Sequence, residues 1–146
     1  MPYFISDNKD LLDIGFIHFE LSNSYWAKNI PIELVQKSIA HSLCFGVYKD
    51  KKQIGFARVI SDYATFGYLC DVIITQEEQG KGAGKMLMEF IMKHPDLKGL
   101  RRFMLATRDA HTLYGKYGFT KLQNPDRIME ITIPNPYSES TDKRIA

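Results

Sequence analysis

The chain has 146 residues, 45% of them hydrophobic and 25% charged, with a formal net charge of +2. That length and balance specify one compact domain with an ordinary core, and the small positive excess gives no footing for a nucleic-acid partner. No basic region followed by an apolar one opens the sequence, and no window approaches the roughly 20 apolar residues of a membrane span, so neither secretion nor a membrane is indicated and the expected compartment is the cytoplasm.

In chain order, residues 2–6 can open a sheet as a short strand, and Asp7, Asn8 and Asp10 supply turn and capping groups. A first helix is expected over residues 11–21, where Ile14, Ile17 and Leu21 recur at three and four. Residues 22–29 form a polar loop holding Tyr25 and Trp26. Pro31 suits a first helical position, and Ile32, Val35 and Ile39 give a second apolar face. Strands follow over 43–49 and 53–60, separated by the polar Asp50, Lys51 and Lys52, and a third runs from Ala64 or Thr65 to Ile74. A helix begins near Lys85, with Leu87 and Ile91 on one face, and ends at His94-Pro95. Residues 101–107 read as a strand. Asp109 can cap a short helix through Tyr117 that Gly118 stops, and residues 119–122 and 128–133 read as two further strands. Cys44 and Cys70 lie in apolar runs without C-x-x-C spacing, which points to reduced core thiols and to no metal site.

Chemistry concentrates at Gln79-Gly80-Lys81-Gly82-Ala83-Gly84, between an apolar strand and a helix. A helix start offers unpaired N–H groups and the positive end of the macrodipole. Bare glycine positions let an anion reach the backbone, and Lys81 and Lys85 add charge. A Walker loop is excluded, because Gln79 stands at its first glycine and Met86 at its magnesium hydroxyl. The dinucleotide fingerprint fails as well, since it requires glycine at Lys85 or Leu87.

Gln79, Gly82 and Gly84 do fit Q/R-x-x-G-x-G/A, the pyrophosphate signature of the GNAT superfamily of N-acetyltransferases, which the chain resembles. The run from Ala110 to Phe119 is similar to the A-x-x-L-Y-x-K-x-G-F segment that follows the fifth strand in the same superfamily. The resemblance spans about Ile54 to about Ile133, while the N-terminal part agrees only in its two helices between the first strands. It implies a mixed α/β (α+β) fold with a mostly antiparallel central sheet of about seven strands flanked by about four helices. One N-acetyltransferase domain would occupy residues 1–134, followed by a poorly anchored tail over 135–146.

Under the resemblance, acetyl-CoA is the co-substrate and no metal is needed. Gln79, Gly80, Lys81, Gly82, Ala83 and Gly84 would hold its pyrophosphate, the backbone at Val72 and Ile74 its pantetheine arm, and Thr107 would stand where the family often has a coenzyme-contacting asparagine. Tyr114 is the candidate acid for the departing thiolate, because a phenol with an ordinary pKa of about 10 stays protonated at neutral pH; its alternative is a core aromatic. Asp71, alone in an apolar strand, either faces the acceptor amine or makes a structural salt bridge to Arg58, Arg101 or Arg102. In the polyamine-acetylating branch an acidic pair aligns here, and Cys70 replaces its first member, which argues against polyamine specificity and against direct base catalysis at that position. Tyr25 and Trp26 can line the acceptor side, and His111 reads as an ordinary histidine. The expected activity is acetyl transfer to a primary amine, on a small molecule or a protein, by direct attack in a ternary complex. A non-catalytic acyl-CoA-binding regulatory module is the alternative, and a homodimer is left open.

Overall fold

A computed structural model describes residues 2–137 and contains one sheet with strand order β1-β2-β3-β4-β5. The strands are β1 (Phe4–Ser6), β2 (Leu43–Lys49), β3 (Lys52–Ser61), β4 (Phe66–Ile74) and β5 (Arg102–Leu105), and the helices are α1 (Ile14–Ser22), α2 (Ile32–Ala40), α3 (Ala83–Met92) and α4 (His111–Gly115). Neighbouring strands are antiparallel except β4 and β5, which run parallel and are linked by the α3 crossover. This is the mixed α/β, mostly antiparallel architecture that the sequence implies.

Local chemistry explains the boundaries. Helix α1 starts later than periodicity predicts because Asp13 caps it, accepting the Phe16 N–H at 3.0 Å, while Asn8 caps a separate turn at Lys9–Leu11. The β2–β3 hairpin closes on Asp50 and Lys51 alone, both at positive φ (52° and 67°) as a two-residue turn matched to strand twist requires, so Lys52 belongs to β3. Asp62 organises the β3–β4 turn by accepting the N–H groups of Ala64, Thr65 and Phe66. Four backbone and side-chain donors on one carboxylate, the Thr65 hydroxyl foremost, hold its pKa well below the usual carboxylate range.

Two apolar layers cover the sheet. On one face Leu87, Met88 and Ile91 of α3 pack against Phe45, Val47, Val59 and Leu69; on the other Ile17 and Leu21 of α1 and Val35 and Ile39 of α2 pack against Cys44, Phe56 and Ile73. Ile17 and Leu21, Val35 and Ile39, and Leu87 and Ile91 of the three expected helix faces are therefore core, while Ile32 is half-buried outside it. Among the described residues no helix is long and apolar enough to cross a membrane.

Two expectations need correction. The sheet has five described strands where about seven were expected, because residues 119–122 and 128–133 are in no strand. Their apolar alternation suits a strand, but a strand exists only with a ladder partner, and none is supplied among the described residues. Helix α4 begins at His111 and Asp109 does not cap it; the Thr107 hydroxyl instead accepts the Ala110 N–H at 3.0 Å. Most of the predicted tail, residues 138–146, lies outside the described residues, whereas Tyr137 packs on the α1–α2 layer.

Candidate active site

The sheet opens between β4 and β5. Their pairing runs from Phe66 with Arg102 to Leu69 with Leu105; β4 then continues to Ile74 with no strand on that side among the described residues, which leaves Val72 and Ile74 along the opening. A bulge sits at the same level. Phe56 pairs with Ile73 and Arg58 with Cys70, so Asp71 and Val72 together face the single residue Ala57, and Asp71 takes φ 53°. Such a conformation at a residue with a Cβ costs on the order of 1–3 kcal/mol and persists only where surrounding contacts fix it.

Those contacts are specific. Asp71 accepts the indole N–H of Trp26 on Oδ1 at 2.8 Å and the Nε–H of Arg58 on Oδ2 at 2.9 Å, and Arg58 Nη1 donates to the Ser42 hydroxyl at 3.1 Å. The ion-paired side chains are only 16% (Arg58) and 10% (Asp71) exposed, which removes most solvent screening from the pair. Of the three candidate arginines, Arg58 is the partner, and Arg101 and Arg102 are exposed. Although burial works against the Arg58 charge, the Cys70 and Asp71 side chains outweigh it and hold the guanidinium above its ordinary pKa.

At the far end of β4, a short turn (Gln76–Glu78) leads into residues 79–84. Gln79 turns its amide back to donate to the Ile74 carbonyl at 3.0 Å, tying the loop to the strand end. Gly80 and Gly82 have φ 78° and 94°, and Gly82 is the N-cap of α3 with no side chain closing the helix start. A Cβ on Gly80, Gly82 or Gly84 would meet nothing within 4 Å, so the glycines border open space in front of the first N–H groups of α3. That is a fit for a pyrophosphate. Behind the loop, Glu78 accepts from the Tyr3 hydroxyl at 2.7 Å and from Lys49 Nζ at 3.2 Å, a strut not foreseen from the sequence, since its three members lie on separate elements.

Tyr114 lies on α4, half-buried against the α3 layer, with its ring edge-on to Phe119 at 6.2 Å. Burial pushes its phenol above the ordinary value and the nearby Tyr25 adds to the shift, so it stays protonated over a wider range than a free tyrosine. Tyr25 and Trp26 form an exposed T-shaped pair with centroids 5.1 Å apart. Arg108 lies over the Tyr25 ring at 3.8 Å and joins this loop to the segment before α4. Sequence reasoning passed over Arg108, because nothing in its own neighbourhood points to an aromatic as far upstream as Tyr25.

Both cysteines are free, and burial raises the Cys44 thiol to about 11 and the Cys70 thiol to about 12, so neither supplies a ready thiolate. His111 is exposed at the start of α4. Among the described residues no group of three or more His, Cys, Asp or Glu side chains is placed to hold a metal.

A glycine turn with room for an anion stands at one end of a split sheet, and the phenol of Tyr114 stands on the helix that follows the other strand. Residues 12–119 match the sequence pattern of the family described as Acetyltransferase (GNAT) family, and the chain belongs to that family: it is an N-acetyltransferase. A Xanthomonas campestris pv. campestris protein assigned to the GNAT family, known from a crystal structure, is 55% identical and superposes with a TM-score of 0.92 over 93% of this chain and 96% of that one. A Gibberella zeae protein assigned as an acetyltransferase is 33% identical over 78% of this chain and 76% of its own length. The uncharacterised N-acetyltransferase ycf52 of Gracilaria tenuistipitata var. liui is 32% identical over 69% of this chain, which spans 55% of that protein.

Proposed function

We propose that this N-acetyltransferase binds acetyl-CoA along the β4–β5 opening and moves the acetyl group to a primary amine by direct attack in a ternary complex. The observation that carries this reading is the continuity of the opening. One strand, β4, presents the bulge at Asp71 and Val72 and, through the Gln79 tie to Ile74, the glycine cradle. The N–H groups at the start of α3, with Gly80, Gly82, Gly84 and the charges of Lys81 and Lys85, would hold the pyrophosphate; Ala83 continues the same turn. Backbone groups at Val72 and Ile74 would orient the arm, and Thr107, whose hydroxyl oxygen already accepts from Ala110, retains its own proton to donate. When bound, acetyl-CoA supplies an activated acetyl thioester.

Tyr114 would hold the proton required by the leaving thiolate, a role that its raised phenol favours, since the group remains protonated while an amine is neutral enough to attack. Asp71 would act on the acceptor side. Its two oxygens hold Trp26 and Arg58, and each keeps a lone pair for the ammonium of an arriving amine. Tyr25 and Trp26 would wall that side. The high thiol values at Cys44 and Cys70 favour direct attack over an acetyl-cysteine route.

A panel of small amines, aminoglycoside-like compounds and lysine or N-terminal peptides, read as coenzyme thiol release, tests the reading. Release that depends on an amine supports it. Tight acetyl-CoA binding with no release across the panel would favour a regulatory acyl-CoA-binding module.

A further inference from the structure

Tyr25 and Trp26 stay at the surface although both are large aromatics, 59% and 44% exposed, and the loop that carries them is anchored. The Asn29 N–H closes it on the Ser22 carbonyl at 3.0 Å, His18 Nε2 binds the Ile30 carbonyl at 3.0 Å, and Ala27 is buried in the α1–α2 layer. Two adjacent exposed rings on a fixed loop make a contact wall rather than a stray surface residue.

Arg108 stands on that wall. Its guanidinium carbon lies 3.8 Å from the Tyr25 centroid, and the Thr107 hydroxyl, accepting the Ala110 N–H at 3.0 Å, fixes the turn that presents it. Contact of the guanidinium carbon with a ring leaves the planar fork of N–H donors for an anion. Among the described residues Arg108 makes no salt bridge, whereas Arg58 is already spent on Asp71 and Ser42. Contacts run without a break from one charge to the other: Asp71 to the Trp26 indole at 2.8 Å, Trp26 to Tyr25 at 5.1 Å between centroids, and Tyr25 to Arg108. A carboxylate at one end of an aromatic wall and a guanidinium at the other complement a molecule that carries the opposite pair.

We propose, resting on the reading of the acceptor side given above, that the acceptor is a primary amine that also carries a carboxylate. Its ammonium is received at Asp71 and its carboxylate by the guanidinium of Arg108, which makes Arg108 a specificity-determining residue. A guanidinium fork matches a carboxylate with two parallel hydrogen bonds, and the ring behind it keeps the fork oriented before anything binds. Charge favours a carboxylate over a phosphate monoester. Arg108 brings a single positive charge and Asp109 follows it directly, which suits a monoanion and opposes a group carrying about −1.5 to −2. Tyr25 is also close enough to Tyr114 to bear on its phenol, so an amine held along this wall faces the group proposed as the acid.

Trp26 is the only tryptophan of the chain, so its emission reports occupancy of the wall without turnover. The full chain, loaded with coenzyme A, is titrated with glycine, γ-aminobutyrate and ε-aminocaproate, each against its own uncharged amide. For at least one length the carboxylate form should bind roughly tenfold tighter than the amide, the size expected of hydrogen bonds to a charged group, and coenzyme thiol release from acetyl-CoA should show the same preference in KM. Arg108→Gln, which removes the charge, should bring that ratio close to one; Arg108→Lys, which keeps the charge and loses the fork, should retain part of it. Equal binding of acid and amide at every length would overturn the proposal. So would tighter binding of phosphoethanolamine than of any of the acids, or a preference that survives Arg108→Gln, including the case in which both forms weaken together because Arg108 only steadies Tyr25. Thiol release with amines of every kind and no preference for a carboxylate would overturn this proposal alone and leave transfer to a primary amine standing, whereas no release with any amine would remove both.

Discussion

The indole of Trp26 donates to the carboxylate of Asp71 at 2.8 Å across 45 residues of sequence, joining the loop between α1 and α2 to the bulge of β4. The bond couples the loop that would wall the acceptor side to the strand that would carry the donor. It also explains how a carboxylate is tolerated in that strand: Arg58 neutralises it and the bulge turns it toward its partners.

Replacing Asp71 by Asn keeps an oxygen for Trp26 and abolishes the charge opposite Arg58. A buried guanidinium left short of its partner should cost about 1–3 kcal/mol, read as a lower melting temperature. If the carboxylate also receives the acceptor ammonium, the amine KM should rise while acetyl-CoA affinity stays at the parent value. Calorimetry and steady-state kinetics separate the two effects. A destabilised variant with parent kinetics per folded molecule would leave Asp71 a purely structural role.

The cradle can be probed without straining the backbone. Gly82 is a poor choice, because its φ of 94° penalises any side chain regardless of space. Gly84 has no positive φ, and a Cβ there would meet nothing within 4 Å. It occupies the first turn of α3, where an acidic side chain complements the macrodipole by about 0.3–1 kcal/mol. Gly84→Asp should therefore hold or raise the melting temperature while repelling phosphate, lowering acetyl-CoA affinity by roughly tenfold or more. Unchanged affinity by calorimetry would reject the pyrophosphate assignment.

The strut behind the cradle gives an acid-side prediction. The Tyr3 hydroxyl, then Lys49, holds the Glu78 carboxyl below its ordinary pKa. A depressed carboxylate contributes stability above its unfolded pKa, and that contribution disappears as pH falls through the lower folded value. Tyr3→Phe removes the leading donor, so the Glu78 titration followed by carbon NMR should move up toward the ordinary glutamate range. No movement would mean that Lys49 alone sets the value.

What could be read from residue order is what local chemistry decides. The glycine turn was legible because glycines at a strand-to-helix junction serve both the positive φ of Gly80 and Gly82 and the bare space in front of α3. The helix faces were legible because Ile17 and Leu21, like Val35 and Ile39, repeat at the helical period. The partner of Asp71 was not, since three arginines were available and only the β3–β4 register puts Arg58 beside it. Nor was the absence of a ladder at residues 128–133 legible: alternation reveals that a segment favours a strand and says nothing of whether a partner strand is supplied.

Tyr114 provides the most direct test of the proposed chemistry. Phenylalanine preserves the ring, its edge-on contact with Phe119 and its packing against the α3 layer, and removes only the hydroxyl. Turnover should fall by roughly the 10²- to 10⁴-fold that a lost general acid typically costs, with acetyl-CoA affinity near the parent value. The pH profile sharpens the expectation. Burial, with help from Tyr25, raises the phenol, so an alkaline limb set by Tyr114 should lie above the ordinary tyrosine value and vanish in the variant. The same shift fixes a stability sign: a raised phenol favours the folded chain below its unfolded pKa, and that contribution is lost as pH climbs through the folded value. In Tyr114→Phe that alkaline loss of stability should be smaller. A folded variant that binds acetyl-CoA and turns over within about threefold of the parent, far short of the general-acid range, would assign the proton to water or to another group.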